Sequence, residues 1–193
     1  MQSRDYLPHV QTCLSKLSET PPSSPQAAVI LSSLLDLIPV STNQNQLQRD
    51  EDLYKIFIER KFFNTLQDYL SATTQPETFL KSFALLNSLF TRHYIDVLTT
   101  ARLYIPVLIK VTITLNMSTP QQTIDMIYQI WAFMTLLLRS SQHIQPQKRL
   151  DVEAILKHPS TLRSYHLILQ RFVSAALSYW VQAELQPDEW IVL

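Results

Sequence analysis

The sequence predicts an all-α protein with about four stacked helical hairpins, which together form a short right-handed α-solenoid. Three observations favour this fold class. The 193 residues contain no glycine, and four segments begin with a proline and continue with apolar residues at helical spacing. These prolines recur at intervals of 39 to 51 residues, a period typical of helical repeats. A compact helical bundle is the alternative, and in either arrangement residues 1–193 form a single helical-repeat domain.

The absence of glycine excludes several common catalytic and ligand-binding loops. Average proteins contain roughly 7% glycine. P-loops, dinucleotide-binding fingerprints, nucleophile elbows and EF-hand loops each need it at fixed positions. The sequence therefore indicates a protein that is not an enzyme and binds no cofactor. The alternative, an all-α enzyme with a pocket between hairpins, would require titratable groups that converge in one cleft.

The first hairpin is predicted at about residues 5–40. An apolar segment at 6–17 forms its first helix, and the second helix begins at Pro25, after Ser24. Proline is favoured at the first helical position because the amide hydrogen that it lacks has no partner there. The second helix continues with these apolar residues at helical spacing: Ala28, Leu31, Leu34, Leu35 and Ile38.

The second hairpin is predicted at about residues 50–92. Its first segment, 53–70, is apolar at helical spacing, and a break near Arg60 would divide it. The second helix begins at Pro76, after Gln75. Its apolar residues are Phe79, Leu80, Phe83, Leu86 and Phe90.

The third hairpin, at about residues 94–140, contains one ambiguous segment. Apolar residues at every second position from Leu103 to Leu115 fit a β-strand. The same segment also has an apolar helical stripe. We predict a helix, because the chain offers no second strand of comparable quality and a lone strand leaves its backbone groups unpaired. The stripe comprises Tyr104, Val107, Leu108, Val111 and Leu115.

The second helix of this hairpin begins at Pro120, where Thr119 and Gln122 have the spacing of a capping box. Trp131 lies in a stretch that is apolar on nearly all sides, so we predict that it is a core residue. The predicted core stripe of this helix is Ile124, Ile127, Trp131, Met134 and Leu138.

The fourth hairpin is predicted at about residues 147–186, and a C-terminal tail follows at 187–193. An apolar segment at 150–156 forms the first helix, and the second begins at Pro159, after His158. The apolar residues of this long second helix are Leu162, Tyr165, Ile168, Leu169, Phe172 and Leu177.

The paired segments resemble HEAT repeats, with the armadillo repeat a near second. The run Tyr6-Leu7-Pro8, followed by Leu14 and Leu17, resembles the first helix of a HEAT unit. The run 104–108, Tyr-Ile-Pro-Val-Leu, repeats this pattern, and each run is followed by a helix that begins with proline. The resemblance implies a protein-binding scaffold rather than a catalyst.

Composition and charge place limits on partners and location. Lys and Arg together number 16, as do Asp and Glu, so no global field favours nucleic acid or membranes. Cys13 is the only cysteine, which excludes an intrachain disulfide. His9 lies four residues before it, but the sequence offers no further ligand beside them, so no metal site is predicted. With no apolar signal sequence or membrane span, we expect an intracellular protein of the cytoplasm or nucleus.

Two candidate interaction surfaces follow from the sequence. We expect Trp180 and the apolar tail, Trp190, Ile191, Val192 and Leu193, to contact another protein subunit, unless the tail folds back onto the last hairpin. A basic face between residues 139 and 171 is an alternative site, which would bind nucleic acid. Its members are Arg139, Lys148, Arg149, Lys157, Arg163 and Arg171. The predicted function is a scaffold or adaptor in a larger complex, and the sequence does not indicate an oligomeric state.

Overall fold

The computed structural model describes residues 6–38, 46–91 and 95–184, and this part of the chain contains α-helices and no β-strand. The all-α prediction is confirmed, and the solenoid arrangement stays a prediction. The helices of the described residues are α1 Tyr6–Glu19, α2 Pro25–Leu37, α3 Gln46–Glu59, α4 Phe62–Ala72, α5 Pro76–Thr91, α6 Val97–Thr114, α7 Pro120–Ser141, α8 Pro146–Lys157 and α9 Pro159–Glu184.

Proline begins the helices where the sequence predicts it. The four predicted starts, at Pro25, Pro76, Pro120 and Pro159, are confirmed. A fifth helix, α8, begins at Pro146, which the apolar pattern did not single out because α8 has only one buried residue. Proline at these positions preorganises the backbone for a helical turn without removing an intrahelical hydrogen bond.

Side-chain caps complete two of these helix starts. The Oγ of Ser24 accepts a hydrogen bond from the Gln26 amide at 3.3 Å. The Oγ1 of Thr119 accepts from the Gln122 amide at 3.2 Å. The Oε1 of Gln122 in turn accepts from the backbone amide of Ser118 at 3.1 Å, one residue before the position that a capping box normally uses. Both caps satisfy amides that the first helical turn leaves open.

The chain divides into two compact units, residues 1–96 and 97–193. In the first unit α1 packs on α2, α2 on α5, and α4 on both α3 and α5. The predicted break near Arg60 is confirmed, because α3 ends at Glu59 and α4 begins at Phe62. Large side chains that are fully buried in this unit include Leu17, Leu31, Leu34, Leu53, Phe57, Phe62, Leu66, Leu70, Phe79, Leu85, Leu86 and Leu89.

A buried tyrosine ties α4 to the end of α1. The Tyr69 hydroxyl donates to the carbonyl oxygen of Leu17 at 2.8 Å and also contacts that of Thr20. These carbonyls belong to the last turn of α1 and the residue after it, and that of Leu17 also accepts from the Thr20 amide at 3.2 Å. Burial raises the pKa of Tyr69 to about 12, so the hydroxyl keeps its proton at neutral pH.

The second unit is built around α6, which packs against α7, α8 and α9. The helix prediction for residues 103–115 is confirmed, although Pro106 lies inside α6. Proline removes one hydrogen bond from a helix interior. Packing offsets that loss, because Tyr104, Ile105 and Leu108 are fully buried. Outside the core, the Arg102 guanidinium lies 3.3 Å from the Asp151 carboxylate of α8.

Among the described residues α6 is also the one helix long and apolar enough to cross a membrane, judged by length and composition alone. Within this structure 44% of that apolar window is buried by protein. Core helices of soluble proteins have the same composition, and the finding is weakly consistent with a soluble protein.

An arginine of α9 closes the C-terminal end of α6. The Arg171 guanidinium donates to the carbonyl oxygens of Thr112 and Leu115, which lie at the end of α6. Partial burial lowers the pKa of Arg171, but guanidinium stays protonated in proteins. This charge-assisted fork satisfies two open carbonyls and fixes the position of α9 along α6.

Three further helix ends close without a left-handed residue. Ile38, Thr73 and His158, which follow α2, α4 and α8, have negative φ and extended ψ. Their amides still donate to carbonyls three or four residues earlier, at 3.2 to 3.4 Å. Within the described residues only Lys61, between α3 and α4, has a positive φ, at 50°. Such a conformation usually falls to glycine, which this chain lacks.

We expect Arg171→Met to lower the free energy of unfolding by about 2–3 kcal/mol, because two carbonyls at the end of α6 lose a charged donor. Arg171→Lys should recover only part of this loss, since an ammonium group lacks the planar fork. Urea unfolding followed by far-ultraviolet circular dichroism measures both. The control is Arg163→Met at an exposed position of the same helix, with a change within about 0.5 kcal/mol. Equal midpoints for all variants would contradict the role of Arg171.

Tyr69→Phe is expected to lower the free energy of unfolding by about 1–2 kcal/mol at pH 8, because the end of α1 loses the buried hydrogen bond from the tyrosine hydroxyl. The folded state holds the pKa of Tyr69 near 12, above its ordinary value of 10.0. Its stabilising contribution is therefore complete below pH 10 and is lost as the pH rises towards 12. The difference in free energy of unfolding between wild type and Tyr69→Phe, measured with urea, should therefore become smaller over that range. The exposed control Tyr128→Phe should have the same free energy of unfolding as wild type at every pH.

Candidate functional site

Exposed apolar side chains are concentrated in the second unit. In the part of the first unit that the structure describes, the large exposed apolar residues are Val29, Tyr54 and Ile58. Single exposed residues of this kind are common, whereas contiguous groups mark interaction sites. The corresponding residues of the second unit are Tyr128, Trp131, Leu136, Leu138, Leu150, Leu162, Leu167, Leu169, Val173, Leu177, Tyr179, Trp180 and Val181.

Part of this group surrounds an open cavity of about 400 Å³ between three helices, which we name the α7–α8–α9 groove. Most of its lining is aliphatic or aromatic, and the polar members come mainly from α8. Ligand-binding clefts of several hundred Å³ typically combine an apolar lining with a few polar groups. The lining residues are Trp131, Met134, Thr135, Leu138, Glu153, Leu156, Lys157, Leu162 and Tyr165.

Helix α7 buries a different face from the one that the sequence predicts, and part of the face that it leaves exposed lines the groove. The prediction that Trp131 is a core residue is wrong, since its exposed fraction is 41% and it lines the groove. At 3.6 residues per turn, the predicted stripe is rotated by roughly 80° from the buried face. The residues that α7 buries are Thr123, Met126, Ile127, Ile130, Phe133, Leu137 and Ser141.

The short helix α8 contributes the polar side of the groove. Val152 is its only buried residue, and Leu156 extends from α8 to the groove lining. Glu153 accepts from the Lys157 ammonium at 2.9 Å and lies 3.3 Å from the Arg149 guanidinium. The hydrogen bond and charge of Lys157, with a smaller effect of Arg149, lower the pKa of Glu153 below its ordinary range. This carboxylate therefore stays ionised at neutral pH.

These ion pairs orient side chains more than they stabilise the fold. Arg149, Glu153 and Lys157 lie at successive four-residue steps on one face of α8, and both cations are largely exposed. Exposed pairs of this kind contribute little free energy, because water screens them and ordering long side chains costs entropy. The result is a charged rim along one side of an otherwise apolar groove.

Tyr165 lines the groove from α9 and is half-buried. Desolvation raises the pKa of its phenol to about 12, so the hydroxyl is neutral and keeps its proton at physiological pH. A neutral tyrosine in such a position offers both an apolar ring and a hydrogen-bond donor, which is the combination that protein interfaces favour.

The six residues of the candidate basic face lie in three different environments. Arg139, Lys148 and Arg163 are exposed. Arg149 and Lys157 pair with Glu153 at the groove rim, and the structure thus brings them close together. The remaining residue, Arg171, is turned inward to the end of α6. A nucleic-acid interface on this face stays a prediction.

The candidate tail residues Trp190, Ile191, Val192 and Leu193 lie outside the described residues. Trp180 is on α9 and is exposed. His9 and Cys13 line a shallow depression together with Ser33 and Asp36 of α2. In the described ranges no group of three or more His, Cys, Asp or Glu residues could hold a metal ion.

No family model matches this chain, and no curated protein or solved structure matches it. The resemblance to HEAT and armadillo repeats stays a prediction. Function is therefore argued from the groove and its neighbouring surfaces.

Two adjacent leucines of α7 differ in burial, because the buried face of the helix is rotated from the predicted stripe. Leu137 is fully buried, whereas the exposed fraction of Leu138 is 43%. Leu137→Ala should lower the free energy of unfolding by about 2–5 kcal/mol, because it opens a cavity in the core. Leu138→Ala should lower it by less than about 1 kcal/mol. Thermal and urea unfolding of the two variants measure the difference, and a reversed order would place the groove face of α7 inside the core.

Proposed function

We propose that this protein is a non-catalytic scaffold or adaptor, a subunit of a larger protein complex, and that its α7–α8–α9 groove binds a partner protein. The observation that carries this proposal is the exposed apolar lining of the groove. Large contiguous apolar surfaces are uncommon on monomeric soluble proteins and usually mark an interaction site. The cytoplasm or nucleus is the location that we propose for such a complex.

An amphipathic helix is the partner element that suits the groove. Three helices line the groove, and α7 supplies Trp131, Met134 and Leu138 at steps of three and four residues. Grooves between helices commonly accept a helix whose apolar residues repeat every three to four positions. The apolar lining would receive these residues, and the rim of Arg149, Glu153 and Lys157 would face the polar side of the partner.

The distribution of residue types also favours a protein ligand. Interfaces typically have an apolar, aromatic centre and a polar rim, and tryptophan and tyrosine often contribute most of the binding free energy. Trp131 and Tyr165 line the groove, and Glu153 with its two basic neighbours borders it. The resemblance to HEAT repeats, which implies a scaffold, agrees with this proposal.

Exposed cations favour the alternative, a helical-repeat protein that binds nucleic acid. Arg139, Lys148 and Arg163 are exposed on the second unit. Such binding would weaken steeply with salt, because each phosphate contact releases counterions. Binding at an apolar groove would respond much less to salt.

The test is affinity purification of the tagged chain from its native cells, followed by quantitative mass spectrometry. Wild type should recover one or more protein partners in stoichiometric amounts. The double variant Trp131→Ala, Leu138→Asp should recover at least tenfold less of these partners, since the groove loses an aromatic anchor and gains a charge. The matched control is Val29→Asp, at an exposed apolar position of the first unit, and it should retain them.

Two results would contradict the proposal. One is a groove variant that recovers the same proteins as wild type. The other is a nuclease-sensitive, salt-dependent recovery of nucleic acid with no protein partner, which would favour the alternative. Circular dichroism of the double variant is the check that the groove substitutions leave the fold intact.

A further inference from the structure

The rim of the α7–α8–α9 groove has more positive than negative charge. Lys157 lines the groove, and Arg149 lies one turn before Glu153 on the same face of α8. Arg139 is exposed and follows the lining residue Thr135 by four positions, so it lies beside the groove at the next turn of α7. Glu153 supplies the carboxylate of the lining and is already paired with both cations of α8. Complementary charge therefore favours an occupant with carboxylates of its own.

Other carboxylates of the three helices do not offset this positive charge. Asp151 of α8 lies 3.3 Å from the Arg102 guanidinium of α6. Asp125 lies near the beginning of α7, six residues before the first lining residue of that helix. Helix α9 has no acidic residue before its last position, Glu184. The excess of positive charge thus stays at the groove.

The tail, residues 187–193, has the composition that complements this groove. Two acidic residues are followed directly by four large apolar ones, in the order Asp-Glu-Trp-Ile-Val-Leu, and no Lys or Arg is present. The other segments outside the described residues differ: 1–5 has one acidic and one basic residue, 39–45 has no charged residue, and 92–94 has only a basic one. The tail is therefore the segment whose apolar residues and charge both match the groove.

The tail cannot place its carboxylates at the rim of the same chain. Lys157 lies two residues before α9, which is 26 residues long and so spans about 39 Å. Glu189 follows the last residue of α9 by five positions, and five extended residues span at most ~18 Å. The rim and the tail belong to opposite ends of α9, so the complementary groove must be that of another copy.

We propose that the tail of one copy of this chain binds in the α7–α8–α9 groove of another copy. The apolar end of the tail contacts the lining around Trp131 and Leu138, and Asp188 and Glu189 face Lys157. The contact joins two different surfaces, so copies associate head to tail, in closed rings or open chains. The tail is much shorter than one side of a standard protein interface, and the association is therefore weak and depends on concentration.

The scaffold function and this self-association use the same groove. The proposal rests on that function only for the claim that the groove accepts a protein segment. A groove that holds a tail has no room for a partner helix, so tail and partner compete. An excess of a peptide of residues 185–193 should therefore displace partner proteins from the chain.

Fluorescence anisotropy of this peptide, labelled with fluorescein, measures its binding to the whole 193-residue chain. Binding should saturate, and Leu138→Asp and Lys157→Glu should each weaken it at least tenfold, because each places a negative charge beside the acidic peptide. The matched control is Arg163→Glu, since Arg163 is an exposed cation of α9 that does not line the groove. This variant should bind the peptide as wild type does.

A second peptide tests the acidic residues of the tail. With Asp188→Lys and Glu189→Lys, the peptide should bind the wild-type chain at least tenfold more weakly, because its charge repels the cations of the rim. Restoring the attraction in the Lys157→Glu chain should recover part of this loss. Equal binding of the acidic and basic peptides would overturn the assigned contact.

Sedimentation equilibrium tests the association of whole chains. The mass of wild type should rise above 22.4 kDa as its concentration increases, whereas Leu138→Asp and Trp190→Ser chains should stay at that mass. A constant mass of 22.4 kDa for wild type would overturn the proposal, as would peptide binding that Leu138→Asp leaves unchanged. Peptide binding that appears only in the monomeric Trp190→Ser chain would show that each tail fills the groove of its own chain.

Partner recovery separates the failure of this proposal from the failure of the scaffold function. If the peptide does not bind but partner proteins still require Trp131 and Leu138, the tail is not the occupant and the scaffold function stands. If the peptide binds the groove but no partner protein depends on it, the self-association stands and the scaffold function is overturned.

Discussion

Open carbonyl groups at helix ends are the constraint on which both units depend. The last turn of any α-helix leaves carbonyls without intrahelical partners, and a left-handed glycine commonly closes that end. This chain contains no glycine. Side chains from helices distant in sequence donate hydrogen bonds to these carbonyls instead: Tyr69 at the end of α1, and Arg171 at the end of α6. In each unit the same contact ends one helix and positions another.

Helix starts could be predicted from the sequence because their causes are local. Proline at the first helical position and a capping hydroxyl act within a few residues, so Pro25, Pro120 and Thr119 were recognisable from their neighbours alone. The ambiguous segment that became α6 was also resolved correctly, because a strand needs a partner and the chain has no other comparable candidate. Helix ends at α1 and α6 were not predictable, since their partners lie more than 50 residues away.

The candidate site was only partly predictable, for a related reason. Periodicity shows that a helix has an apolar face, but α7 has two, and the neighbouring helices decide which one is buried. Trp131 therefore looked like a core residue and lies in a groove instead. Trp180 is exposed near the end of α9, and its predicted contact with another subunit stays a prediction. Arg171 looked like a surface charge, and nothing in its sequence neighbourhood reveals the carbonyls that it binds.

The Arg171 contact has a consequence for the order of folding. It joins positions 56 and 59 residues apart, so the end of α6 gains these partners only when the loop that contains α7, α8 and the first half of α9 has closed. Contacts of large sequence separation form late, because a long loop must close first. The final turn of α6 should therefore fray during folding, long after its middle is stable, and should be among the first segments to reopen. In native-state hydrogen exchange, the amides of that turn would report on the docking of α9 rather than on the helix that contains them.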